Sequence, residues 1–251
     1  MFTKVERLIS SRNLRPKKKE GFLKIISIFS FLGIMLGVAI LIIVMSVMNG
    51  FKTDLTKKIL GLNPHIVIQP NNLTIDDKFI SKLKNEFQDI KISKSFSGEG
   101  IIINNDNAKG VIFKGINKDE KRSIEFLSKN ITSGNVKTFN ENQVFIGTEL
   151  AYNLNLKKND KISLMSSSFV ATPLGSLPKQ ESFSIAGTFT TGFLEFDQNI
   201  VILGIDDALS IFDKEKKDQN IEIYLKNPLK ANIVKNEIEK INPNYFIYTW
   251  S

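Results

Sequence analysis

The 251-residue sequence has no cysteine, one histidine and one tryptophan. Without cysteine there is no disulfide, no zinc–thiolate site and no thiol nucleophile, so a folded domain must be held by its core alone. His65 has no second histidine or cysteine with which to share a metal ion, and its place beside Pro64 at a strand start reads as structural. No GxxxxGK[ST] run occurs, which excludes a P-loop for ATP. Ser166-Ser167-Ser168 comes without a partner base and reads as loop, not nucleophile. Glu195 and Asp197 stand two apart in Gly192–Asp197, on one side of an expected strand, without the aromatics of a sugar site. A solvated turn or a polar contact is expected there. The expectation is a protein that is not an enzyme and holds neither metal nor cofactor.

Charge of either sign is missing from Ile25 to Met48, a run of 24 residues. As a helix at about 1.5 Å per residue it covers roughly 36 Å, more than the ~30 Å hydrocarbon core of a bilayer. A cleaved signal peptide has an apolar region of about 7–15 residues that ends in a small-residue cleavage site. This run is longer, and Ser46-Val47-Met48-Asn49-Gly50-Phe51 offers no such site. The segment therefore reads as a retained transmembrane helix. Of the net charge of +8, residues 1–51 carry +6, from eight basic and two acidic side chains; the other 200 residues carry +2. A basic cluster beside an apolar run points to membrane lipid and orientation, and argues against nucleic acid. The positive-inside rule places the N-terminus in the cytoplasm and the main domain outside.

Three parts are expected. Residues 1–24 form a basic cytoplasmic tail with an amphipathic elbow, in which Phe2, Val5, Leu8 and Ile9 share a side. Residues 25–48 form the membrane helix, and residues 49–251 an extracytoplasmic domain of one core or two lobes. Within the helix, Gly33 and Gly37 make a GxxxG that admits a second helix, and Met35, Val38 and Met45 are candidates for packing or lipid contact.

Past the membrane segment, apolar spacing predicts helices at 52–60, 76–90, 119–127, 148–156, 206–212 and 228–241. Strands are expected at 65–69, 100–103, 110–116, 144–147, 160–165, 182–189, 199–203, 221–225 and 245–249. The turn cluster Asn104-Asn105-Asp106-Asn107 makes a hairpin of the second and third strands. The order lacks a βαβ repeat, so the fold class is α+β with a mixed sheet. Ser166–Gln180 reads SSSFVATPLGSLPKQ, with two prolines, a glycine and no period. It is expected to be a projecting loop between paired strands, and loops of that length are often functional.

Several of these residues resemble one family. Val5-Glu6-Arg7-Leu8-Ile9-Ser10-Ser11-Arg12-Asn13-Leu14-Arg15 resembles the N-terminal elbow of the LolC/LolE-type permeases of the bacterial lipoprotein-releasing ABC transporter, members of the MacB/FtsX-like permease superfamily. Ile34–Ala39 and Ser46–Phe51 are similar to the end of their first membrane helix, with SVMNGF the most specific piece, and Ile59–His65 continues the match. Ile146-Gly147-Thr148-Glu149-Leu150-Ala151 and Lys158-Asn159-Asp160 resemble the family's "G-x-x-L-A … G-D" segment, with Asn159 where a glycine is usual. Pro173–Pro178, Gly187–Phe189 and Gly192–Asp197 also fit.

The resemblance implies a permease subunit of the bacterial inner membrane with a periplasmic domain. It implies a cytoplasmic ABC ATPase, a second permease subunit, lipoprotein cargo and a periplasmic carrier that receives it. In the LolC type a loop at the position of Ser168–Gln180 hooks that carrier, which makes Phe169, Pro173, Leu174, Leu177, Pro178 and Gln180 the candidate contacts. The family has four membrane helices and this chain has one, so the resemblance also implies a C-terminally truncated chain whose remainder begins just after Trp250. A related permease for efflux or cell-wall hydrolase activation, and a single-pass sensor or adhesin domain, remain as alternatives.

Overall fold

The uncharged run is helical throughout, within α2 (Gly21–Leu62). The structure, a computed structural model, describes residues 3–13, 21–71, 74–87, 89–105, 107–173 and 175–250. The chain divides into two compact units, Met1–Thr56 and Lys57–Ser251. In the first, α1 (Lys4–Asn13) precedes α2. One stretch of α2, Ile25–Asp54, is long and apolar enough to cross a membrane, and none of it is buried. Its large side chains, from Ile25 through Phe51, stand exposed.

The second unit opens with the end of α2 and β1 (Ile66–Gln69). Asp76 then caps α3 (Asp77–Glu86), its carboxylate accepting from Phe79 N at 2.9 Å. The long hairpin β2 (Ile90–Asn104) and β3 (Asn107–Ile116) follows, then α4 (Lys121–Asn130) and β4 (Ile131–Ser133). Next come β5 (Gln143–Gly147), α5 (Thr148–Asn153), β6 (Lys161–Thr172) and β7 (Gly175–Phe189). The chain continues through α6 (Leu194–Asn199), β8 (Ile200–Gly204), α7 (Ile205–Ile211) and β9 (Asn220–Leu225). It ends with α8 (Ala231–Ile241) and β10 (Phe246–Thr249).

The sheet is mixed: β3 runs parallel to β8 and β5 parallel to β7, while the other pairs are antiparallel. Its strand order, β10-β1-β9-β2-β3-β8-β5-β7-β4, hides a closure. β6 pairs with both β7 and β2, so the ladder returns to its start and six strands form a ring. Alternate residues of all six meet in one cluster, among them Ile102, Phe113, Ile146, Leu164, Phe183 and Leu203. These are the inward positions of a small filled barrel, in which closure removes the exposed edges. Leu150 of α5 and Leu209 of α7 join the cluster. A second cluster lies on the other face of β5 and β8, where Leu127 of α4 packs with Phe145 and Ile202. The third joins β1, β9 and β10 to α3 and α8 through Ile68, Leu83, Ile223 and Ile238.

Three sequence expectations need correction. The helix expected to reach residue 90 stops at Glu86, and Ile90 already begins β2. The first half of β2 packs Ile90 and Ile92 against the third cluster and buries Ser93 and Ser95 on its other face, so the strand lacks the polar alternation of a half-exposed one and the apolar spacing merges with that of α3. Gly192–Asp197 does not form a strand: Leu194 starts α6. Asp197 is buried, and its carboxylate accepts from Thr191 N at 2.7 Å, Thr191 Oγ1 at 2.8 Å and Gly192 N at 3.2 Å. Of the two expected alternatives, the polar contact is the one found. The third correction concerns Ser166–Gln180, which is mostly strand.

Candidate functional site

β6 and β7 outrun the sheet. β2 accompanies β6 only as far as the Gly100–Ser166 pair. Beyond it the ladder shifts register, with three residues (Ser166, Ser167 and Ser168) opposite Lys179 alone. Pairing resumes as Phe169–Pro178, Val170–Leu177, Ala171–Ser176 and Thr172–Gly175. The expected loop is therefore a two-stranded arm with a short turn. An exposed ribbon has no face to bury, so the apolar alternation that marks a strand is absent from its sequence. Gly175 closes the turn at a φ of +120°, which a residue with a Cβ adopts only with strain.

Residues opposite each other in an antiparallel ladder share a face. Phe169 and Pro178 stand on one side of the arm, Val170 and Leu177 on the other. All four are exposed, Phe169 by 64%, Leu177 by 55% and Val170 by 46%, so both sides offer apolar surface to solvent. Isolated exposed apolar residues are ordinary; a paired set on a projecting ribbon marks a contact surface.

The structure thus gathers Phe169, Leu177 and Pro178 on the arm, with Pro173 exposed in its turn. Leu174 lies outside the described residues. Gln180 belongs to the root, where its Nε2 donates to Ser163 Oγ at 2.6 Å. Val170 was missed, although the apolar triplet Phe169-Val170-Ala171 carries a trace of it. Gly33 and Gly37 have nothing within 4 Å of where a Cβ would sit. At about 100° per residue they share one stripe of α2, while Met45 and Val38 lie roughly 100–120° away from it and Met35 about opposite.

The root of the arm is polar. α7 ends on Asp213 at a φ of +53°, with Lys214 N donating to Leu209 O at 2.8 Å and Asp213 N to Ser210 O at 2.9 Å. This is a left-handed helix stop. Arm residues reach the carbonyls around it. Lys179 Nζ donates to Ser210 O at 2.6 Å, Ser166 Oγ to Ile211 O at 2.6 Å and Ser168 Oγ to Phe212 O at 2.5 Å. Lys179 also pairs with Glu181 at 3.6 Å, and Ser210 Oγ donates to Glu181 Oε1 at 3.3 Å. On the same helix, burial pushes the Asp207 carboxyl above its ordinary value, with Glu141 and Glu181 adding to the rise.

Elsewhere the chemistry is structural. His65 is buried, and its Nδ1 accepts from Leu225 N at 2.8 Å. Among the described residues, no three of His, Cys, Asp and Glu are grouped to hold a metal ion. At Asn159 the backbone takes a φ of +72°, the left-handed conformation that glycine accepts freely and asparagine better than most.

The MacB-like periplasmic core domain family matches residues 27–241. The chain is 28% identical over 231 residues to the lipoprotein-releasing system transmembrane protein LolC of Neisseria meningitidis, covering 90% of this chain and 56% of that protein. It is 30% identical over 264 residues to LolC of Buchnera aphidicola subsp. Schizaphis graminum, covering 100% of this chain and 62% of that one. The periplasmic region of MacB from Actinobacillus actinomycetemcomitans aligns with a TM-score of 0.47 at 10% identity, over 75% of this chain and 89% of that one. The chain spans between half and two thirds of the length of these LolC relatives.

Proposed function

Because this chain belongs to the MacB-like periplasmic core domain family, we propose that it works within a permease subunit of an ABC transporter that releases lipoproteins from the inner membrane to a periplasmic carrier. The relatives' names supply the process, and the arm supplies the physical means. In this reading residues 1–24 are cytoplasmic, 25–48 cross the inner membrane and 49–251 are periplasmic. In the same reading ATP hydrolysis falls to a separate cytoplasmic subunit, and a second permease subunit completes the passage. The chain contributes binding and movement, not chemistry.

The observation that carries the proposal is the arm with apolar residues exposed on both sides. A partner that receives an acylated protein has apolar surface of its own, and the arm offers Phe169, Val170, Leu177 and Pro178 to it. A short, proline-bearing hairpin loses little freedom on docking, so more of the contact energy appears as affinity. The test uses the full-length subunit in detergent and the carrier from the same organism. Phe169→Asp and Leu177→Asp, one on each side, are each expected to lower carrier capture at least tenfold while the protein keeps its melting temperature. Undiminished capture by both variants overturns the proposal.

A further inference from the structure

We infer that Ser168 and Lys179 are positioning residues: together with Ser166 they clasp the end of α7 and fix the direction in which the arm points. The inference rests on the proposed docking role of the arm, and it concerns how the arm is held.

Three observations converge on it. The first is where the arm departs. β7 leaves β5 at Ser184, β6 leaves β2 at Ser166, and the pair then shifts register at once, so the ladder alone leaves a joint at Ser166–Ser168. A bulge of this kind bends and twists a ribbon. Two-stranded ribbons without a packed face are only marginally ordered.

The second is what closes that joint. A helix leaves its last carbonyls without partners. In α7 the left-handed stop at Asp213 satisfies Leu209 O and Ser210 O from its own backbone. Ile211 O and Phe212 O receive Ser166 Oγ and Ser168 Oγ, and Ser210 O takes a further bond from Lys179 Nζ. The donors come from both strands, two from β6 and one from β7. A ribbon held on one strand still swings about that strand; held on both, it does not. Ser168 N also donates to Ser166 Oγ at 3.2 Å, which ties the backbone of the one serine to the hydroxyl of the other. The ammonium of Lys179 is a charge-matched donor at a helix C-terminus.

The third is the stiffness of the anchor. Phe212 packs against Phe96 and Phe113, with ring centroids 5.3 and 5.7 Å away. It lies so close to β2 that a Cβ on Gly98 would come within 2.5 Å of its ring. The carbonyl that Ser168 grips therefore belongs to a residue locked into the core. The arm inherits its direction from the barrel, through α7.

These 251 residues hold no cysteine, so introduced ones can be placed against a clean background within them. Spin labels on Cys introduced at Ser176, on the arm, and at Tyr152, on α5, report the arm's direction as a distance distribution in the full-length protein. The parent is expected to give one narrow distance. Ser168→Ala/Lys179→Met, which leaves the buried Ser166 in place, is expected to at least double the width and weaken carrier binding about tenfold, mainly through a slower association rate. Ser168→Thr keeps the hydroxyl and is expected to restore both. A distribution as narrow in the double variant as in the parent overturns the clasp, whether or not a carrier binds. A broadened distribution with parental carrier affinity overturns the positioning role, while Phe169→Asp still reports separately on docking.

Discussion

Lys114 on β3 and Glu222 on β9 meet at 3.3 Å with almost no solvent on either side chain. Burial alone raises a carboxyl. Here the Lys114 charge and the hydrogen bond from Tyr224 OH, at 2.6 Å, outweigh it and hold Glu222 below its ordinary value of 4.5. A depressed carboxyl contributes stability that is present in full above its unfolded value and is lost as pH falls through the folded one. Acid unfolding below about pH 4.5 should therefore carry a Glu222 component. Lys114→Met strands a buried carboxylate and should cost about 3–5 kcal/mol at neutral pH. Glu222→Gln/Lys114→Met removes both charges, and should recover much of that cost and flatten the acid limb. Urea midpoints across pH 3–7 decide it; an unchanged acid limb in the double variant rules the pair out as its source. At Asn159 the left-handed backbone predicts that Asn159→Gly is near neutral and Asn159→Val is destabilising by about 1–2 kcal/mol, read from the same midpoints.

Among the elements, β2 shows how backbone can meet ring. Gly98→Ala would press a methyl onto Phe212, which Phe96 and Phe113 already confine. Overpacking of this kind costs about 1–3 kcal/mol, and a lowered melting temperature with unchanged far-ultraviolet dichroism is expected. The same strand explains what the sequence showed and what it hid. β5 and β8 were legible as continuous apolar runs because they are buried on both faces, and β9 and α8 because their apolar rows match the period of the element and face one core. The start of β2 was not, because Ser93 is buried on the face opposite Ile90 and Ile92 and partnered by Glu120, directly before α4, a contact 27 residues away. The apolar tip of the candidate site was legible in composition, since Phe169, Leu177 and Pro178 stand out in a polar stretch. Its root was not. Ser166 and Ser168 read as loop because their partners, the carbonyls of Ile211 and Phe212, lie more than forty residues on and belong to no side chain.

For the whole molecule, the charge asymmetry of the sequence is the ground for the proposed orientation across the membrane. An impermeant maleimide applied to spheroplasts should label Cys introduced at Tyr152 and spare Cys introduced at Val5 until the membrane is opened. The reverse pattern would invert the proposed orientation. Within the second unit, the ring of six strands has a mechanical corollary. The arm is the continuation of two of its staves, β6 and β7, whose outer neighbours are β2 and β5. Ladder hydrogen bonds lie across the strand direction. A tug applied at the arm's tip runs lengthwise into the barrel wall, where those cross-links must slip all together in shear; they are not peeled apart one after another. The arm proposed to receive a cargo handler is thus also a part through which the domain resists being unravelled.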